Sequence, residues 1–146
     1  MLRQAQCDGN GVYITVEQFA QAFQLNVFST WRLCQLCAPH MAAAGYGSVI
    51  NILSMASINH TTRNLAFDFG PVVHVNAIGP GAVRTGALAT VLTPEIEKRM
   101  LAHTPLQRLG KVDDIAGAVL HFSSPVAAWV SGQVLFVNGG SEQTPD

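Results

Sequence analysis

From Thr15 onward, apolar residues recur at the spacing of a helix face. Phe19, Ala20, Ala22 and Phe23 begin it, and Leu25, Phe28, Leu33, Leu36 and Cys37 carry it towards Ala44. Thr15 and Gln18 stand at capping-box spacing, which predicts the helix start. Gly45 and Gly47 predict its end. A short apolar run, "SVINIL" from Ser48 to Leu53, then reads as a buried parallel strand. A short helical stretch is expected from about Thr62 to Phe69, and "VVHVNAI", Val72 to Ile78, is the next strand. "TPEIEKRMLAHT" predicts a helix, with Thr93 as cap, Pro94 at the first position and acids in the first turn. "KVDDIAGAVLHFSS" predicts another from about Val112, with Asp113 and Asp114 at its positive end. "QVLFVNGG" is a third strand. Residues 1–14 show no period and are read as an unstructured leader to a domain at 15–146.

The order helix, strand, helix, strand, helices, strand predicts an α/β fold. Its core is a partial, Rossmann-like parallel sheet of about three strands with flanking helices. Composition sharpens this picture. The 146 residues are 49% apolar but only 12% charged, against roughly a quarter in ordinary domains. So little charge leaves much surface to be buried against a missing half, a partner subunit or both. Two runs, Leu33 to Thr62 and Ile115 to Ser141, hold no Asp, Glu, Lys or Arg. Pro39, Gly45 and Gly47 interrupt the first; Ser123, Ser124, Pro125, Gly132 and Gln133 interrupt the second. Neither leaves the roughly 18 apolar residues of a membrane span. "MLRQAQCDGNGVYI" has no apolar core of a secretory signal. A net charge of −1 with scattered Lys and Arg gives no basic patch for nucleic acid. Three cysteines, an odd count, fit a reducing, cytoplasmic setting. Cys34 and Cys37 form a CxxC with His40 one helical step on, but no second cysteine pair accompanies them. Helix packing therefore accounts for them better than a metal site.

Ligands of open α/β sheets bind beyond the carboxyl ends of the strands. Two segments are expected there. Ser54 follows "VINIL", which would aim its hydroxyl at the crevice. "GPGAVRT" follows "VNAI", where its glycines permit close backbone approach and Thr85 adds a hydroxyl. Taken singly, Ser54 also reads as a strand-end residue bonded to local backbone, and "GPGAVRT" as an ordinary strand-to-helix turn. The spacing of Gly79, Gly81 and Gly86 is not that of a phosphate loop, and no G-x-G-x-x-G occurs in the chain.

In combination the motifs are more specific. "LNVFS", "GSVINILSMAS", "VNAIGPGAVRT", "RLGKVDDIAGAVLHFSSPVAAWVSGQ" and "VNGG" occur in one order. This resembles the C-terminal half of the short-chain dehydrogenase/reductase family, over about residues 15–141. "TPEIEKRMLAHTPLQRLG" and "RNLAFDFG" carry a closer likeness to the family's bacterial 7-alpha-hydroxysteroid dehydrogenases. The resemblance implies a parallel sheet, NAD or NADP as cofactor, a secondary alcohol, ketone or steroid as substrate, and a homo-oligomer or association with full-length relatives. It implies that Asn26 holds a catalytic water through its backbone and that Ser54 hydrogen-bonds the substrate oxygen. It assigns Pro80, Gly81, Val83 and Thr85 to the turn at the nicotinamide end of the cofactor, and implies no metal.

The departures are equally definite. The family's Gly-rich first turn and its "NNAG" strand have no counterpart in the sequence. Its catalytic Tyr and Lys, four apart, should follow Ser54 by about a dozen residues. The tyrosines here are Tyr13 and Tyr46 and the lysines Lys98 and Lys111, and neither Tyr has a Lys four positions later. The text passes from "SMASINHTT" directly to "RNLAFDFG", as if an internal deletion had removed that helix turn. His60, beside the gap, is a candidate substitute base, although a loop histidine is the better reading. The sequence therefore supports a family oxidoreductase with little turnover of its own. A non-catalytic interaction protein and a degenerate gene product are the alternatives.

Overall fold

The structure, a computed structural model, describes residues 15–52 and 57–141. The first helical pattern forms as expected at its start. Gln18 N donates to Thr15 Oγ1 at 3.2 Å and Thr15 N donates to Gln18 Oε1 at 3.0 Å, so each satisfies an orphan backbone or side-chain group of the other. The helix is not uniform, however. Helix α1, Val16–Phe23, runs into a π turn at Gln24–Phe28 before α2, Ser29–Ala43. Gly45, at φ 79°, takes the left-handed conformation that lets the chain leave α2.

Strand β1 spans Gly47–Ile52, one residue earlier than the sequence suggested at its start. Helix α3 spans Ser57–Phe69 and so begins five residues before the expected Thr62. Strand β2 is Val73–Pro80 and carries the sheet's most buried run. A four-residue helix α4, Gly86–Ala89, was not foreseen. Helices α5, Pro94–Ala102, and α6, Val112–Ser123, and strand β3, Val134–Val137, match their patterns closely.

The sheet order is β1-β2-β3, with both pairings parallel. Gly47 pairs with Val73 at one end of the first ladder, and Ala77 pairs with Val134 in the second. Alternation along β2 feeds two cores. Val73 and Val75 pack with Leu65 of α3 and Cys34 of α2 on one face. Ile78 packs with Phe122 of α6 and Ala127 on the other. The expected α/β sandwich, a parallel three-stranded sheet between helices, is therefore what forms. Leu65, Val73, Val75 and Ile78 are essentially inaccessible to water, each contributing about 1.5–3 kcal/mol of transfer free energy.

One polar residue sits inside this apolar strand. Asn76 is fully buried, yet both ends of its amide are used. Its Nδ2 donates to Val130 O at 2.9 Å, and its Oδ1 accepts from Gln133 N at 3.1 Å. Neighbouring bonds tie the same loop to β2: Ser131 Oγ accepts from Val75 N at 3.1 Å, and Gly132 N donates to Val75 O at 2.7 Å. This clamp sets the approach of β3 and hence the position of both strand ends. Among the described residues no helix is long and apolar enough to cross a membrane.

Candidate functional site at the carboxyl ends of the strands

The turn that leaves β2 is fixed by contacts on both sides. Gly81 N donates to Val137 O at 3.0 Å, continuing the β2–β3 ladder past Pro80. A Cβ on Gly81 would lie 2.7 Å from Asn138 Cα, so only glycine fits this approach. Asn138 is itself bound: Nδ2 donates to Ser141 O at 2.7 Å and Oδ1 accepts from Gly140 N at 3.1 Å. Further along, Val83 forms a parallel bridge with Gly110. In that bridge Gly110 N donates to Ala82 O and Arg84 N donates to Gly110 O, both at 2.9 Å. By strand alternation, the N–H and C=O of Val83 itself point away from Gly110. Neither has a hydrogen-bond partner among the described residues. Thr85 caps α4, its Oγ1 accepting from Leu88 N at 3.2 Å, and so keeps its own proton to donate.

Two ion pairs brace the surroundings. Arg84 meets Glu97 of α5 at 2.6 Å. Arg108 meets Asp114 through both carboxylate oxygens, at 2.7 and 3.0 Å. The Arg108 hydrogen bonds, then the Lys111 backbone N–H, hold the Asp114 carboxyl down at about 2. A cleft of about 230 Å³ opens beside the turn, with Gly81, Ala82, Arg108, Gly110, Asn138 and Gly139 in its wall. Its polar side chains are already paired with one another or with backbone, so the Val83 amide is the better-equipped feature.

The candidate residues divide accordingly. Pro80, Gly81, Val83 and Thr85 lie together at the end of β2. Asn26 lies on another element, exposed in the π turn, and its Nδ2 donates to Ala22 O at 2.9 Å. Its carbonyl accepts from Thr30 Oγ1 at 3.0 Å, and Ser29 Oγ donates to Leu25 O. The hydroxyls of Ser29 and Thr30 thus serve carbonyls at the π turn. Ser54 lies outside the described residues, and His60 is exposed on α3. Cys34 is a core residue; burial, and then Cys37, pushes its thiol up. No group of three metal-ligating side chains occurs among the described residues. The structural roles of Asn76 and Asn138 were missed in the sequence. The available signal was a polar residue inside the apolar run "VHVNAI", where burial demands partners.

A family profile described as Enoyl-(Acyl carrier protein) reductase matches residues 2–142, beginning inside the stretch set apart as a leader. The chain belongs to the short-chain dehydrogenase/reductase family. It is 48% identical to a 7alpha-hydroxysteroid dehydrogenase of Escherichia coli (strain K12), over 86% of this chain and 56% of that protein. The identity is 32% with the 7alpha-hydroxysteroid dehydrogenase of Paraclostridium sordellii, over 85% and 53%. Among solved structures, a 7 alpha-hydroxysteroid dehydrogenase complexed with NADH and 7-oxo glycochenodeoxycholic acid matches with a TM-score of 0.84. That match has 44% identity, over 92% of this chain and 59% of that one. The chain thus spans little more than half the length of the relatives it matches.

Proposed function

We propose that the chain belongs to the secondary-alcohol and ketone chemistry of its relatives. The substrate would be hydroxysteroid-like and the hydride carrier NAD or NADP, in a reducing, cytoplasmic setting. The observation that carries this reading is the turn after β2. A nicotinamide carboxamide needs one acceptor and one donor side by side, and the free Val83 C=O and N–H supply both. Thr85 adds a hydroxyl, and Pro80 and Gly81 hold the turn against β3. When bound, the nicotinamide supplies the acceptor for hydride. The relatives named above support the substrate class.

The same reading makes this polypeptide weak or inactive alone. Oxidising an alcohol requires a group to take the hydroxyl proton. A Tyr does so near neutrality only when an adjacent cation lowers its pKa from about 10. No Tyr here is followed by Lys at the fourth position. The alignment with the E. coli relative runs over 142 positions while using 86% of these 146 residues, which agrees with positions that this chain does not fill. Loss of a general base costs about 10²–10⁴ in rate. Ser54 and the Asn26 carbonyl can orient a substrate oxygen and a water, but neither accepts the proton.

The test is NAD(P)H absorbance during incubation with 7-alpha-hydroxy bile acids, beside calorimetric titration of NAD(H) and NADP(H). The expected result is no measurable turnover. Turnover abolished by Ser54→Ala would refute the inactivity and make His60 the next residue to replace. Self-association belongs to the same proposal: Leu25, Phe28, Leu33 and Leu36 are all more than half exposed, an uncommon display for a monomer.

A further inference from the structure

We infer that Arg108 and Asp114 are positioning residues for the Val83 N–H and C=O, their ion pair standing in for a strand beside the Leu109–Lys111 strip. The inference rests on the carboxamide reading of Val83 given above. Gly110 turns both of its main-chain groups towards the turn after β2: its N–H donates to Ala82 O and its C=O accepts from Arg84 N. Alternation then turns the Leu109 C=O and the Lys111 N–H to the other side of the strip. No strand among the described residues meets them there. The ion pair does. Arg108 Nη1 donates to Leu109 O at 3.1 Å, and Asp114 Oδ2 accepts from Lys111 N at 2.7 Å. One donor and one acceptor in those places are what a residue of a further parallel strand would supply. The two side chains are joined by their own bonds at 2.7 and 3.0 Å, so donor and acceptor hold each other in register.

Displacement of this strip passes directly to Val83. A Cβ on Gly110 would lie 3.3 Å from Val83 Cγ2 and 3.5 Å from Ala82 O, so the strip and the turn touch with little slack. Four layers follow one another: the ion pair, Leu109–Lys111, Ala82–Arg84, and the carboxamide that Val83 would take. Each offers the next one donor and one acceptor. Asp114 sits in the first turn of α6, whose Phe122 packs in the core with Ile78. The direction of the Val83 groups is thereby referred to the packed side of the sheet. Stability is a poor explanation for the pair. Its side chains are 49% and 32% exposed, where an ion pair contributes little. What two parallel N–H···O bonds add is direction.

NMR of the full chain tests this through two readings. One is amide hydrogen exchange; the other is the response of the Val83 amide to reduced nicotinamide mononucleotide at millimolar concentration. Asp114→Asn and Arg108→Lys should each speed exchange at Arg84 and Gly110 about tenfold, as for losing one hydrogen bond to a charged group. Ala77 N, which donates to Gln133 O within the sheet, is the reference and should stay within about twofold. Both variants should also cut the Val83 response at least about threefold, because Lys keeps the charge of Arg108 but lacks its planar fork. Asp113→Asn removes the same charge from the same turn of α6 and should leave both readings within about twofold. Exchange that speeds up equally at Ala77 makes the pair a general stabiliser and overturns the inference. Unchanged exchange at Arg84 and Gly110 overturns it as well. A Val83 response equal in parent and variants overturns it while leaving the carboxamide reading standing. No Val83 response in the parent refutes that reading and the inference with it. If Asp114→Asn does not fold, Arg108→Lys, which leaves the Asp114 carboxylate on Lys111 N, decides among the same outcomes.

Discussion

On one side of β2, the loop from Val130 to Gln133 is bonded to the strand by main chain and side chain alike, and β3 follows from it directly. On the other side, β1 completes a six-residue ladder with β2, but what lies beyond it is loosely held. Among the described residues of α2, only Cys34 and Ala38 are buried, and the π turn has none. Both regions are poor in charge. The first spends its apolar residues in a core with Ile78 and Phe122. The second leaves Leu25, Phe28, Leu33 and Leu36 in water. The contrast teaches that a low-charge sequence does not by itself make a well-buried one. The clamp around Asn76 gives the strand ends a fixed frame, whereas the α1–α2 side leaves its large apolar side chains exposed.

The severest test of this contrast is a core truncation. Ile78→Ala removes a fully buried side chain facing α6 and should cost about 3 kcal/mol in denaturant unfolding. A loss under about 1 kcal/mol would mean that this face is not the packed one. Next comes the clamp itself. Asn76→Ala leaves Val130 O and Gln133 N without partners in a buried setting and should cost about 2 kcal/mol by the same measurement.

A smaller effect is expected from acid. The folded carboxyl of Asp114 titrates at about 2, below its ordinary value of 3.8. Its contribution is therefore complete above the unfolded pKa and fades as pH falls towards 2. Thermal melts between pH 5 and pH 2 should show Asp114→Asn losing less stability on acidification than the parent. Equal slopes would remove Arg108–Asp114 from the bracing of the strand ends. The smallest effect belongs to the open side. Leu25 is 71% exposed, so Leu25→Gln should shift unfolding by no more than about 0.5 kcal/mol. A cost comparable with that of Ile78→Ala would erase the difference between the regions.

The sheet was legible because its signals are local. Continuous apolar runs marked β1 and β2, and Thr15 and Thr93 announced their helices through side chains that do cap them. The π turn was not legible. Leu25, Asn26, Val27 and Phe28 keep the composition of an ordinary helix, and a surplus of one residue per turn leaves no residue-type signature. Helix α4 escaped for the opposite reason: four residues are too few to show a period. Thr85 was read for its hydroxyl as a ligand contact, and the structure adds that it accepts from Leu88 N. The bonds of Asn76 reach Val130 and Gln133, more than fifty positions away, which only the folded chain brings near. Gly81 was foreseen as a point of close approach, but Asn138 as the backbone it approaches was not.

Seen as a matter of counting, the π turn between α1 and α2 is one residue too many. An α-helix closes its bonds at the fourth residue and a π turn at the fifth, so Gln24–Phe28 absorbs one surplus position. Without that slack, every side chain before Gln24 would be rotated by about 100° relative to those after Phe28. Shortening the segment by a single residue would thus restore an unbroken α-helix while α1 and α2 kept the faces they now present. What would disappear is the five-residue closure in which Ser29 N donates to Gln24 O. The segment is a phase adjuster, and that longer closure is the mark left by the surplus residue.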